Sequence, residues 1–379
     1  MHDFIPNPSL RGTDPVDAIR LIRSENVGPM TFFHLVKFCG SVTKAIEMAP
    51  GLSQRGGRKK PIAIRSKAEA QREFDAISKF GARVLLYGEP DYPRLLQTVS
   101  DAPPVLTLRG HAHLFAHDRL IGMVGARNAS VNGCAFARKL SADLGTAGYT
   151  VVSGLARGID AYAHRGALAT GTVAVIGGGI DNIYPPENEA LFAEIAEAGA
   201  ILSEMPFGMK PHAHSFPARN RIIAGMTRGV AVIEASLKSG SLITANVALD
   251  YGRDVFAVPG SPMDPRCAGT NGLIKQGAHM IESVHDILSN LALTGALPLA
   301  EDSAGFGEPP AAHVSEDMLT EARAQVTQAL GASPTLLEDV LHRTGITPHL
   351  LMAVLLELEL AGRLQRHPGA KVSLRMEAV

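Results

Sequence analysis

The chain has 379 residues, with 46% hydrophobic and 19% charged side chains and a formal net charge of −1. At about 100–200 residues per domain this describes a globular protein of two or three domains with a sizeable core. The near-neutral charge excludes a whole basic face, so any nucleic-acid site has to be a compact patch of Arg and Lys.

No apolar run reaches the ~18 residues of a membrane span, and the N-terminus lacks a signal-peptide core. The three cysteines (Cys39, Cys134, Cys267) are far apart without metal spacing. A reduced cytoplasm is the expected home, with no cofactor implied.

In chain order, DPVDAIRLIRSE reads as a helix capped by Asp14, with Pro15 at its first position. After the turn at Asn26-Val27-Gly28-Pro29, MTFFHLVKFCGS and VTKAIEMA continue as helices, either a helix-hairpin-helix or a plain bundle. SQRGGRKKPIAIRSK carries six basic residues and no acid, and reads as a solvated linker rather than a DNA patch. A helix closed by Gly81, a strand ARVLLYG and a strand VLTLRG follow.

From Leu120 the alternation becomes regular. Strands RLIGMVGA, YTVVSG, TVAVIGGG, AILSE, GVAVIEA and DVFAVPG each lead to a helix. The strands are almost continuously apolar, as expected when helices cover both faces. The fold class is therefore α/β, a doubly wound, mostly parallel sheet. LALTGALPLAEDSAGFGEPPAAH reads as a flexible linker. Three helices and a two-strand ribbon then give the order of a winged helix. The expected division is 1–85 helical, 86–290 α/β core, 291–314 linker and 315–379 winged helix.

Ligands in such sheets lie at the carboxyl ends of the strands, where loops feed helix N-termini. Four loops fit. In MVGARNAS, Gly125 ends a strand and Arg127 can fork onto a phosphate. In VVSGLARGIDAYAH, Ser153 and Gly154 end a strand, and Arg157 and Gly158 precede a helix that Asp160 either caps or favours through its dipole. His164 reads as a packed or hydrogen-bonded residue. In FPARNRIIAG, Arg219, Asn220 and Arg221 open a helix beside Phe216, which is either a stacking face or core; the Arg pair reads as an anion site rather than as surface salt bridges. In EASLKSGSLITA, Ser239, Gly240, Ser241 and Thr244 surround a further helix start. GxGxxG and Gly-Lys-Ser/Thr are both absent, which argues against a nicotinamide cofactor and a P-loop ATPase. A row of donors along one sheet edge suits a strand of several phosphates better than one nucleotide.

VGARNAS, SGLARGIDAYAHRGAL, FPARNRIIAG, EASLKSGSLITANVAL and VFAVPG, together with Tyr92-Pro93, resemble the DprA/Smf family (DNA-processing protein A) over about Tyr87–Leu288. The resemblance implies an extended Rossmann-like domain, in many members flanked by an N-terminal small helical domain and a C-terminal winged helix. It implies single-stranded DNA bound without sequence preference, a homodimer, protection of incoming strands and loading of the RecA recombinase in natural transformation, without enzymatic activity. The family's Gly-x-Arg falls on Gly125 and Arg127, its Ser-Gly…Asp on Ser153, Gly154 and Asp160, and its Phe-x-x-Arg-Asn-Arg on Phe216, Arg219, Asn220 and Arg221. Relatives are often basic just before that Phe. Here His212 and His214 stand there, after Lys210.

The winged-helix candidate TPHLLMAVLLELELAG carries Glu357 and Glu359 and no Lys or Arg before Arg363. Groove-reading helices need basic and amide side chains, so a protein–protein or dimer contact is expected of it rather than duplex reading, with a merely stabilising appendage as the alternative. The rival reading of the whole chain is a nucleotide-binding Rossmann-like hydrolase. Its PGGxGT-type loop is missing, and Ser239-Gly240-Ser241 occupies the corresponding turn.

Overall fold

The computed structural model describes residues 7–294, 316–367 and 369–375. They form two compact units. One takes the chain up to Pro15 and again from Gln71 to Thr294; the other joins Val16–Ala70 to the described residues from 316 onward.

In chain order the helices α1 (Pro15–Ile22), α2 (Pro29–Cys39), α3 (Val42–Arg55) and α4 (Lys67–Lys79) lead to strands β1 (Arg83–Leu86) and β2 (Val105–Gly110). The alternating part is β3 (Leu120–Val124), α5 (Val131–Thr146), β4 (Thr150–Ser153), α6 (Ile159–Ala167), β5 (Thr172–Ile176), α7 (Glu189–Ala198), β6 (Ala200–Ser203), α8 (Ser215–Met226), β7 (Gly229–Val232), α9 (Gly240–Asp250), β8 (Asp254–Ala257), α10 (Ala268–Lys275), β9 (His279–Met280) and α11 (Val284–Thr294). The winged part is α12 (Glu316–Ala329), β10 (Thr335–Leu336), α13 (Leu337–Thr344), α14 (Pro348–Leu360), β11 (Leu364–His367) and β12 (Lys371–Leu374).

The first unit is built on a nine-stranded sheet in the order β1-β2-β6-β5-β4-β3-β7-β8-β9. Strands β3 to β9 pair in parallel, while β1 and β2 extend one edge antiparallel. The expected mostly parallel, doubly wound sheet is present. Its winding follows from side-chain alternation in β3. Ile121 and Met123 enter a layer shared with Leu140 of α5 and Ile159 of α6. Gly122, between them, faces the other way, and a Cβ there would stand 3.3 Å from Ile223 of α8. Each aliphatic chain so buried contributes about 1.5–3 kcal/mol. The order turns back at β3, whose neighbours are β4 on one side and β7 on the other. This is the switch point at which such sheets open a crevice.

The expected division at 85/86 differs from the observed one at Ala70/Gln71. Ile77 of α4 packs into a cluster with Ile176, Ile195 and Ile201 of the α/β core, and β1 is an edge strand of the main sheet. The end of the expected helical domain is thus claimed by tertiary packing. The expected linker lies outside the described residues, apart from the start that closes α11.

In the second unit, Gly40 ends α2 in the left-handed region (φ 83°), returning its N–H to the Val36 carbonyl, and Ser41 caps α3 by accepting from the Lys44 N–H. The basic run after α3 is a loop in which Arg58 pairs with Glu25 at 2.5 Å. The winged part has a three-stranded antiparallel sheet, β10-β12-β11, one strand more than the expected ribbon. Helix α14 is its centre, with Leu351, Val354, Leu355 and Leu358 meeting Val326, Val340 and Val372, and Phe38 of α2 packed alongside. Glu357 is 1% exposed, held by Arg323 at 2.5 Å and Arg55 at 3.5 Å. Asn26 donates to the Leu360 carbonyl and Arg363 to that of Gly56. A Cβ on Gly56 would stand 2.0 Å from the Glu357 carbonyl oxygen, so glycine permits the closeness of α3 and α14.

Candidate nucleic-acid interface

The carboxyl ends of β3, β4 and β5 open on a narrow cleft lined by Arg127, Gly154, Gly177, Gly178, Tyr184, Phe216 and Arg219, among others. Each strand delivers its loop there because the strand is apolar and short and is followed directly by a glycine, Gly125, Gly154 or Gly177.

The β4 loop is the most constrained. Leu155 has φ 54° and Gly158 φ 72°. A left-handed Leu costs free energy and persists only where the surroundings fix it. Asp160 Oδ2 accepts from the amides of Gly154 (3.1 Å) and Ala156 (3.3 Å). Asn188 donates to the carbonyls of Leu155 (2.9 Å) and Ala156 (3.2 Å). Arg219 donates to the carbonyl of Gly154 and, at 2.7 Å, to that of Val175. The loop is pinned from both its donor and its acceptor side, which presents Arg157 to solvent, 3.9 Å from Glu187.

Asp160 and Arg219 are both buried. Burial pushes the Asp160 carboxyl above its usual range, against the pull of Arg219, the two amides and Arg127. Burial likewise lowers the Arg219 guanidinium, against the attraction of Asp160. Arg219 Nε has no hydrogen-bond partner among the described residues. A Cβ on Gly154 would fall 1.8 Å from Arg219 Nη1, so this glycine makes room for the buried guanidinium.

On the rim, the exposed Arg127 places its guanidinium carbon 4.8 Å from the Phe216 ring centroid, a cation–π arrangement. Phe216 has Tyr184 beside it, ring centroids 6.0 Å apart. Tyr184 is 47% exposed. An exposed cation without a salt bridge and two partly exposed rings around glycine-rich strand ends can hold a phosphate and a base face together.

The residues singled out from sequence divide clearly. Arg127, Gly154, Phe216 and Arg219 line the cleft. Gly125 stands behind it, where a Cβ would press on Ile159 at 2.6 Å. Ser153 is buried and donates to the Met123 carbonyl, and Asp160 takes the loop amides, so both support the cleft from beneath. Arg221 turns away. It is paired with Glu204 at 2.5 Å and donates to the Asp101 carbonyl, while Tyr251 donates to the Asp101 carboxylate at 2.6 Å. Its charge is neutralised internally, contrary to the expected anion contact. Asn220 donates to the Gly240 carbonyl at 3.4 Å. Ser239 and Ser241 share a 2.6 Å hydroxyl contact at the start of α9, and Thr244 is buried with its hydroxyl unpartnered. This fourth loop does not line the cleft. Beside it Glu234 accepts from the Ser130 hydroxyl and amide, which adds negative charge at that strand end.

Sequence reasoning missed Tyr184 and the pair Gly177-Gly178. The triple glycine ending β5, followed by Tyr184-Pro185, was the available signal. His164 is buried as expected, bonded to Thr172 at 2.9 Å. Burial, reinforced by Arg219, lowers its pKa to about 3. Among the described residues no group of three or more His, Cys, Asp or Glu is placed to hold a metal ion, and no helix is long and apolar enough to cross a membrane.

The family described as DNA recombination-mediator protein A matches residues 83–292. A DprA-like N-terminal HHH domain matches 13–76 and a DprA winged helix domain 309–370. Protein Smf of Synechocystis is 38% identical over 317 residues, covering 76% of this chain and 79% of its own. The crystal structure of DNA processing protein A from Streptococcus pneumoniae superposes with a TM-score of 0.62 at 33% identity, covering 72% of this chain and 95% of that one. DNA processing protein A of Helicobacter pylori, whose structure concerns its single-stranded DNA binding mode, gives a TM-score of 0.52 at 29% identity, covering 56% and 96%. With all three segments matched in order, the chain belongs to the DprA/Smf family of DNA recombination mediators.

Proposed function

We propose that this chain binds single-stranded DNA at the cleft on the ends of β3, β4 and β5. The observation that carries the reading is Arg127 stacked on Phe216 over the pinned β4 loop. The H. pylori relative's single-stranded DNA binding mode supports it. Arg127 contacts a backbone phosphate, while Phe216 and Tyr184 offer faces to a base. Binding of this kind is sequence-tolerant because every base has a π-face. Arg219 and Asp160 are positioning residues that fix the loop. The protein acts by holding the strand and passing it to the RecA recombinase as a cytoplasmic homodimer, with no bond made or broken.

The test is oligo-dT binding by the Phe216→Ala variant. Loss of one stacked base is expected to weaken binding by about 1–3 kcal/mol. Unchanged affinity in a folded variant contradicts the assignment. Release of free base from nucleoside monophosphates would favour the hydrolase reading instead.

A further inference from the structure

A second concavity meets the cleft at Arg127, which lines both. It runs between α5 and α6, with Gly158 in its lining. From α5 it takes Val131, Cys134, Ala135, Arg138, Lys139 and Ala142, a single helical face. From α6 and the turn after it come Tyr162, Arg165, Gly166 and Ala169, again one face. The two helices lie close because Gly166 meets the Arg138 carbonyl oxygen where a Cβ would stand at 2.1 Å.

Its chemistry differs from that of an ordinary helix surface. Arg127, Arg138, Lys139 and Arg165 line it and are exposed, and no acid lines it. Lys139 pairs with Asp143 at 2.8 Å. Arg127, Arg138 and Arg165 make no ion pair among the described residues. In a chain of net charge −1, three exposed guanidinium groups without a salt bridge among the described residues, around one groove, are a local concentration of positive charge. Between them lie apolar and aromatic surfaces. Val131 is 85% exposed, and the Tyr162 ring, 36% exposed, carries the Arg165 guanidinium at 5.3 Å.

We infer that this groove is a second segment of the DNA-binding surface, taking the single strand as it leaves the cleft past Arg127. This rests on the cleft reading above and extends it. At about 1.5 Å per helical residue the groove is about 16 Å long, room for about five nucleotides at about 3.4 Å each. Arg138 and Arg165 contact phosphates, and Tyr162 and Val131 face bases or sugars. A strand matches both features of the groove, alternating charge and apolar surface along a line.

The experiment compares dT5 and dT20 binding by the wild-type chain, the double variant Arg138→Ala/Arg165→Ala and Arg127→Ala, each checked for unchanged thermal unfolding. The double variant is expected to bind dT20 less tightly, on the order of tenfold, with a salt slope reduced by about 1.4 for two lost phosphate contacts, and to bind dT5 as the wild type does. Arg127→Ala is expected to weaken both. Wild-type affinity of the double variant for dT20 overturns the groove, and so does an equal loss for both lengths. Undiminished dT5 binding by Arg127→Ala instead overturns the cleft reading, a separate result.

Discussion

Helices α8 and α14 occupy comparable positions in expectation, since each could be the element that meets nucleic acid. Their side chains set them apart. Helix α8 opens with Phe216 at the cleft and Arg219 in its wall. Helix α14, the third helix of the winged part, buries nine of its residues, among them Glu357, which is fixed by Arg323 and Arg55. The position of a helix within a known architecture therefore says less about its partner than the surroundings of its charges. The same holds within α8, where Arg219 reaches the cleft wall and Arg221, two positions on, is spent on Glu204 and Asp101.

The comparison can be broken by substitution. Arg219→Ala leaves Asp160 buried without its nearby cation and removes donors from the Gly154 and Val175 carbonyls; a loss of about 3–5 kcal/mol in stability is expected, with binding lost through the loop. Chemical denaturation and oligo-dT titration read both effects. Glu357→Ala should cost about 3 kcal/mol in the second unit, by uncovering two guanidinium groups around an apolar core, and should leave oligo-dT affinity unchanged. A drop in affinity there would give α14 the role assigned to α8.

A smaller effect comes from His164. Its folded pKa of about 3 lies below the ordinary 6.5, so the unfolded chain binds the proton first as the pH falls. Stability should decline below pH 6.5 by up to about 1.4 kcal/mol per pH unit. Asp160, raised by burial, works in the opposite sense in the carboxylate range, so the window to read is about pH 6.5 to 5. Urea midpoints of wild type and His164→Asn compare it directly. His34, also lowered to about 3 by burial, tilts both curves alike, so a midpoint difference between the two proteins that stays flat through that window contradicts the buried, neutral imidazole.

Much of the α/β core was legible because its signals are local. Apolar runs such as LIGMV and TVAVI and their glycine ends need no distant partner to be read. The cleft was legible in part for the same reason, through Arg127 and Phe216. Three features were not. Arg221 reads like Arg219 until Glu204 and Asp101 are brought beside it by the fold. Tyr184 lies on a loop with no helical or strand period. Joining Val16–Ala70 to the winged part depends on pairs such as Asn26 with Leu360, which no local pattern encodes.

In the proposed site the exposed Arg127 meets a phosphate of single-stranded DNA while contributing little to the fold. The most direct measurement is the salt dependence of oligo-dT affinity for the wild-type chain and Arg127→Ala. The predicted result is unfolding within about 0.5 kcal/mol of wild type, together with weaker binding and a log–log slope shallower by about 0.7. Equal affinity and equal slope for the two proteins would contradict it.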